Sequence, residues 1–502
     1  MEQLPDYYAQ LGVSREASAE EIRRAYHRAA RELHPDLNED VNANDSFLQL
    51  QAAYEVLSDP DKRTEYDQSL PPLEEKTPAV GLNVLFSRPS LIKISEPQMI
   101  FVMMELTAPP AAKAEPSPPL NVCLVLDRST SMRGERMDTV KRTAIKLLRQ
   151  LSQEDIISIV TFSDRAEVLV SGGKLSNRIE IENKIKMIQP SGGTEIYHGL
   201  DAGFFEVRSR SRNNSTNHII LLTDGRTYGD EAECLRIADQ AAYSGIGISG
   251  LGIGSEWNDV FIDSIAARTG GSSLYISNPS EIEKALNEVF SGLRQIYAER
   301  VSFEFVAQPG VEMHYAFRLS PQANPLKTSS PIRLGRIPME ADLTFLLEFI
   351  VDPIDKTSDA LTLIEGQISM DIPTRANTEH TIPVHLSGVI SQESSTEPPP
   401  TQLLKAVSQL TLYRMQERAN QYLAEGQTDD ASRFMKNLAT HLFSQDQHDL
   451  ARAALAEANN ILHKQRLSET GKKRIKYGTR ALLLPSGYTG QIDSPPGEGN
   501  PP

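Results

Sequence analysis

The sequence predicts a multidomain protein. An all-α domain comes first, then a doubly wound α/β domain inserted in an antiparallel β-sandwich, then an α-helical C-terminal region. Three observations predict this. At 502 residues the chain is too long for one ordinary core. Apolar residues recur at helical spacing over residues 6–67 and again over 401–466, whereas 120–300 alternates apolar runs with amphipathic helices. Strand-like segments flank that alternating block on both sides, as if one sheet domain were interrupted by it.

The first domain spans residues 1–70. "SAEEIRRAYHRAARELH" opens on Ser18 with Glu21 three residues later, a capping box, and Ile22, Tyr26, Ala29, Ala30 and Leu33 then form one apolar stripe. Pro35 stops the helix, because it lacks an N–H and disfavours helical geometry at His34. A second helix is expected over 44–57, with Phe47, Leu50, Ala53, Tyr54 and Leu57 inward, and Asp59-Pro60 opens a short last one.

Residues 71–80 read as a linker, after which the period changes. "LNVLFSRPSLIKI" and "QMIFVMMELTA" form the first part of the sandwich, 81–119, closing on a Pro/Ala connector. In the α/β domain, 120–300, the strands are "NVCLVLD", "DIISIVTFS", "NHIILLTDG" and "GIGISGLGIG", with helices near 135–150, 178–188, 196–210 and 230–244. Strands return over 301–390, a linker follows at 391–400, and a helical region spans 401–484. The stretch "GKKRIKYGTR" at 471–480 is basic; a solvated tail or packing against the acidic body is favoured over a binding surface. Residues 485–502 are Gly/Pro-rich and expected to be disordered.

Composition narrows the function. The chain is 39% hydrophobic and 24% charged with a net charge of -16, which disfavours a broad nucleic-acid or anionic-membrane surface. Two cysteines far apart, Cys123 and Cys234, support neither a zinc ribbon nor a disulfide framework. No signal peptide and no membrane-length apolar stretch is visible, so a cytoplasmic address is expected. Gly245, Gly247 and Gly250 fit a dinucleotide fingerprint, but the run continues as a strand instead of opening a helix, so that match is discounted. His441, His448 and His463 have no metal-ligand partners at useful spacing and are expected on helix surfaces.

His34 and Asp36 flank a proline, and such a pair could serve as a general base with its orienting carboxylate. A domain of this size encloses little pocket, however, and the tripeptide falls on a loop beside Arg23, Arg24, Arg28 and Arg31. With "DYYAQLGV", "IRRAYHRAARELHPD", "AAYEVLSDP" and "DKRTEYD" in this order, residues 5–68 resemble the J domain of the DnaJ co-chaperone family. The resemblance implies that His34, Pro35 and Asp36 dock on a DnaK-type ATPase chaperone and trigger its ATP hydrolysis. The four arginines would supply steering charge. No Gly/Phe-rich stretch and no CxxCxGxG repeats follow, so other domains must choose the client.

A second constellation sits at strand ends. Asp127, Ser129 and Ser131 follow one apolar strand, Thr194 lies on a Gly-rich loop, and Asp224 ends another strand. Hydroxyls and carboxylates converging at carboxyl ends of a doubly wound sheet make an all-oxygen site suited to Mg²⁺ or Mn²⁺. The order DxSxS, Thr, Asp over residues 120–295 resembles a von Willebrand factor A domain with a complete metal-ion-dependent adhesion site. That resemblance makes Ser129, Ser131 and Thr194 ligands, with Asp127 and Asp224 acting directly or through water. The sixth position would be left to an acidic residue of a partner. Arg128 at the second motif position either faces away or tunes the ligand.

Together these readings imply a non-enzymatic co-chaperone that recruits a DnaK-type ATPase and holds a client through the metal site. A second reading makes the A domain primary, as an adaptor for a larger machine such as an AAA+ ATPase. A metal-dependent hydrolase is disfavoured, because no general base accompanies the motif.

Overall fold

A computed structural model describes residues 7–11, 13, 19–32, 43–59, 62–63, 66 and 79–483, the last span except 111, 113–116, 175–176, 213, 227–228, 355–358, 376–378, 394 and 396. The chain forms two compact units, residues 1–78 and 79–502.

The first unit carries α1 (Tyr7–Leu11), α2 (Ala19–Glu32) and α3 (Ala43–Leu57). Its core joins Tyr8, Leu11, Ile22, Leu50, Ala53, Leu57 and Tyr66, with Tyr26, Ala29, Ala30 and Tyr54 packed against it. The expected stripe of α2 thus faces α3, and Tyr26 stacks on Tyr54 with ring centroids 4.1 Å apart. Arg63 Nε donates to the Tyr8 hydroxyl at 2.9 Å and ties the end of the domain to its start. Leu33, the 71–78 part of the first linker and the tail from 484 onward lie outside the described residues.

In the second unit the α/β domain is built on six strands: β4 (Leu120–Asp127), β5 (Ile156–Phe162), β6 (Ala166–Lys174), β7 (Thr216–Thr223), β8 (Gly247–Ile253) and β9 (Ser273–Ile276). Three earlier strands, β1 (Gly81–Phe86), β2 (Ser90–Ile92) and β3 (Gln98–Thr107), belong to other sheets. The strand order is β6-β5-β4-β7-β8-β9, parallel throughout except for the antiparallel β5–β6 edge pair. Every residue of β4, β5 and β7 is buried, as expected of parallel strands covered on both faces.

Strand alternation divides the core. Val122, Leu124 and Leu126 pack with α4 (Glu135–Gln150), α5 (Arg178–Lys186) and a later helix at Ile282–Arg294. Cys123 and Val125 face α6 (Ile196–Arg208), α7 (Glu231–Tyr243) and α8 (Asp259–Thr269). The helix at Ile282–Arg294 is α9. The glycine run forms a turn and then β8: Gly245 has φ +69, and a Cβ on Gly250 would lie 2.3 Å from Ile262 Cγ2. These glycines serve close packing, and no helix opens on them.

Around this domain lie β10 (Ile296–Ala307), β11 (Val311–Ser320), β12 (Asn324–Pro325), β13 (Ile332–Pro338), β14 (Leu343–Val351), β15 (Ala360–Asp371) and β16 (Glu379–Ser391). They form two five-stranded sheets, β1-β3-β14-β11-β12 and β13-β10-β15-β16-β2. Val102, Met104, Phe345 and Leu347 of one sheet share a core with Phe303, Ile364 and Ile368 of the other. Pairing is antiparallel except between β16 and β2, which run parallel.

The C-terminal helices are α10 (Thr401–Ala424), α11 (Thr428–Ser444), α12 (His448–Lys464) and α13 (Glu469–Ala481). Leu412, Met435, Leu438, Ala454, Ile461 and Ile475 form their common core. The basic stretch 471–480 is therefore the fourth helix of this region. No helix among the described residues is long and apolar enough to cross a membrane.

Candidate metal centre and the docked C-terminal helix

Asp127 ends β4 at the carboxyl edge of the sheet, and the chain then turns through a short helical turn at Thr130–Met132. The turn is held by the carboxylate that starts it: Ser129 N–H donates to Asp127 Oδ1 at 2.7 Å. It is also stitched to the Gly-rich loop. Thr130 N–H and its hydroxyl both donate to Gly192 O, at 3.1 and 2.9 Å, while Ser191 N–H donates to Arg128 O at 2.7 Å. Arg128 Nη1 donates to Ser191 Oγ at 2.6 Å, so this side chain braces the two loops rather than meeting the carboxylates. Gly192 has φ +79, and a Cβ there would come within 2.4 Å of Asp164 Oδ2, so the loop needs glycine.

The expected site residues converge. Ser129 Oγ and Ser131 Oγ are 3.0 Å apart, and Ser131 Oγ donates to Asp224 Oδ1 at 2.6 Å. Thr194 lies beside Gly225, the residue after Asp224: a Cβ on Gly225 would lie 2.7 Å from Thr194 Oγ1. Asp127, Ser129 and Asp224 are buried, Thr194 is half-buried and Ser131 is exposed, giving a carboxylate floor with a hydroxyl rim. Burial pushes the Asp127 carboxyl up to about 6, with the Asp224 charge adding to it and hydrogen bonds from Thr223 and Ser129 opposing.

Two members were not foreseen. Thr223 Oγ1 donates to Asp127 Oδ2 at 2.7 Å, and Arg136 Nη1 donates to Asp224 Oδ2 at 2.5 Å. Thr223 looks in sequence like an ordinary strand residue, and nothing local marks Arg136, 88 residues from its partner. The donor set fits a hard divalent cation, since it consists only of carboxylate and hydroxyl oxygens. It relies on the hydroxyls. No group of three or more His, Cys, Asp or Glu side chains among the described residues could hold a metal.

A second charged cluster joins α8 to α13. Lys476 Nζ pairs with Asp259 and, at 2.7 Å, with Asp263; Arg480 donates to both Asp263 oxygens, at 2.9 and 2.5 Å, and to the Tyr413 hydroxyl at 3.0 Å. Lys473 Nζ donates to Trp257 O at 2.6 Å and to Ser255 O, and lies 4.9 Å from the Trp257 ring centroid. Burial works against ionised Asp263, yet the charges of Arg480 and Lys476 outweigh it and hold the carboxyl well below the usual range. At the helix start Glu469 pairs with Arg226 at 3.1 Å, two residues after Asp224.

On α2, Arg23 and Arg24 are exposed. His34, Pro35 and Asp36, and the side chains of Arg28 and Arg31, lie outside the described residues.

Known proteins agree with this division. Residues 6–67 match the DnaJ domain, 121–290 the von Willebrand factor type A domain, and 401–485 the Sll0103-like, C-terminal alpha-helical domain. Protein sll0103 of Synechocystis sp. is 26% identical over 381 residues, covering 73% of this chain and 89% of that protein. The chaperone protein DnaJ of Hydrogenobacter thermophilus is 49% identical over 74 residues, 15% of this chain and only 21% of the relative. A von Willebrand factor type A structure from Catenulispora acidiphila superposes with a TM-score of 0.63 at 15% identity, covering 80% of this chain and 96% of that one. It shares the fold of the second unit. The J domain supports a DnaK co-chaperone role and the A domain supports protein interaction. The chain is a DnaJ-domain protein carrying a von Willebrand factor type A domain followed by an Sll0103-like helical domain.

Proposed function

We propose that this protein is a non-enzymatic, cytoplasmic co-chaperone. Its J domain stimulates ATP hydrolysis of a DnaK-type chaperone through His34, Pro35 and Asp36, with Arg23, Arg24, Arg28 and Arg31 steering the encounter. The A domain, inserted at 120–300 between the two parts of a β-sandwich at 81–119 and 301–390, binds a client or partner protein. Asp127, Ser129, Ser131, Thr194 and Asp224 would hold Mg²⁺ or Mn²⁺, leaving one position for a partner's carboxylate. The metal supplies positive charge to that carboxylate; the chain's own side chains orient it and keep the floor dry.

The observation that carries this reading is the HPD tripeptide inside a matched DnaJ domain. The oxygen-only cluster at the strand ends supports the client half, and two buried free cysteines suit a reducing compartment.

The test is single-turnover ATP hydrolysis by a DnaK-type chaperone from the same organism, with this protein and with His34→Gln. Stimulation by the first and its loss in the second is the expected result. No stimulation by either folded protein would overturn the co-chaperone reading and leave the A-domain adaptor for a larger machine.

A further inference from the structure

The opposite ends of the parallel strands hold a small solvent-open cleft of about 50 Å³. Its walls are the first residues of β7 and β8 on one side and β10 and β13 on the other. Asp127 and Asp224 lie at the other ends of the strands, so this is a separate place. Glycine shapes the cleft. A Cβ on Gly270, where φ is +70, would sit 2.7 Å from the Gly335 Cα, and Gly335 itself has φ +109. Arg300 has φ 52, a conformation that costs a non-glycine residue free energy and tends to mark functional places.

The charges here are unequal. Arg300, Arg333 and Arg336 face one carboxylate, Glu299. Arg300 is committed to Asp371. Among the described residues, Arg333 and Arg336 make no side-chain hydrogen bond or ion pair, although Glu299 attracts Arg336 electrostatically. The neighbouring Arg318 is a contrast, with its guanidinium donating to Gly270 O, Leu334 O and Gly271 O at 3.0, 2.9 and 2.5 Å. Thr216 is 2% exposed and lines the cleft beside Glu299; its hydroxyl interacts with that carboxyl, and neither Thr216 Oγ1 nor Glu299 Oε1 has a partner at full hydrogen-bond geometry. Burial pushes the Glu299 carboxyl up to about 7, with hydrogen bonding from Thr216 and the charges of Arg336 and Arg300 opposing.

Two guanidiniums without a hydrogen-bond partner around one opening are donors waiting for acceptors, and the Thr216 hydroxyl lies beside them. Guanidinium binds oxyanions through paired N–H donors, and a tetrahedral phosphate offers more acceptor oxygens than a carboxylate does. We infer that the cleft is a phosphate site, in which Arg333 and Arg336 bind the anion and the Thr216 hydroxyl adds a further donor. Free phosphate and the phosphate of a small ester share this chemistry.

Calorimetric titration of the full chain tests it, in EDTA so that a bound cation contributes nothing. The probes are inorganic phosphate, glycerol phosphate and acetate. The expected result is saturable binding of phosphate or its ester, weakened about tenfold in Arg336→Gln and about threefold in Arg333→Gln. Arg333 is half-buried and unbonded, so its variant should keep the wild-type melting temperature even if Arg336→Gln does not. The tighter of the two phosphates identifies the source. Three outcomes overturn the inference: no saturable binding, binding unchanged in both variants, or acetate binding as tightly as phosphate.

Discussion

Two aspartate pairs in the α/β domain start from the same chemistry and reach opposite states. Asp259 and Asp263 on α8 are met by Lys476 and Arg480 of α13, all four side chains being largely buried. Asp127 and Asp224 at the ends of β4 and β7 are met by hydroxyls and by one partly exposed guanidinium, Arg136. The carboxyls respond accordingly: against burial, the neighbouring cations hold Asp263 low, whereas burial carries Asp127 up to about 6. A carboxylate pair closed by cations of its own chain is scaffold. A pair closed by hydroxyls still has negative charge to be matched, and it is this surplus that suits the second pair to a metal.

The largest effect expected from breaking this contrast is in the closed pair. Asp263→Ala strands Arg480 and Lys476 without their counter-charge, so urea unfolding should show a loss of about 3–5 kcal/mol. The pH dependence follows from the sign of the shift. A carboxyl held below its unfolded value contributes stability that is complete above about pH 4 and is lost as pH falls further. The acid limb of wild-type stability should therefore be steeper than that of Asp263→Asn.

Next comes the open pair. Adding Mg²⁺ to metal-free protein should raise its stability by about 2.7 kcal/mol at a hundredfold excess over Kd, read as a shift in melting temperature. Asp127→Ala and Asp224→Ala should remove that shift. Asp263→Ala should keep it, and if it does not, the two pairs are one coupled system.

A smaller effect belongs to Arg136. Its guanidinium already occupies Asp224 Oδ2, so Arg136→Gln should tighten Mg²⁺ binding by about three- to tenfold in calorimetry. Weaker binding in that variant would show instead that Arg136 orients Asp224. The smallest effect is expected at Arg226–Glu469, where both side chains are 45% exposed. Glu469→Gln should change stability by about 0–1 kcal/mol in thermal unfolding, because water already screens the pair.

How much of this was legible in the sequence depends on how local each signal is. The α2 stripe from Ile22 to Ala30, the buried runs of β4, β5 and β7, and the polar residues just beyond them were readable because each is a contiguous pattern. The antiparallel β6 was missed, since "AEVLVSGGK" lacks the continuous apolar run of its neighbours. Thr223 and Arg136 were missed for a different reason: one looks like a strand residue, and the other meets Asp224 only after 88 intervening positions are folded.

The basic stretch 471–480 shows the limit most clearly. By itself a run of lysine and arginine does not distinguish a solvated tail from a segment packed against the acidic body, because charge is stable in water and costly to bury alone. Whether Lys473, Lys476 and Arg480 are buried depends on carbonyls and carboxylates more than two hundred residues away. Periodicity and the ordered motifs by themselves pointed to the domains this protein has and to the oxygens at its strand ends. Tertiary structure alone decided which charges are closed, which stay open, and where a cleft with uncommitted arginines lies, because each depends on long-range pairing that no local pattern encodes.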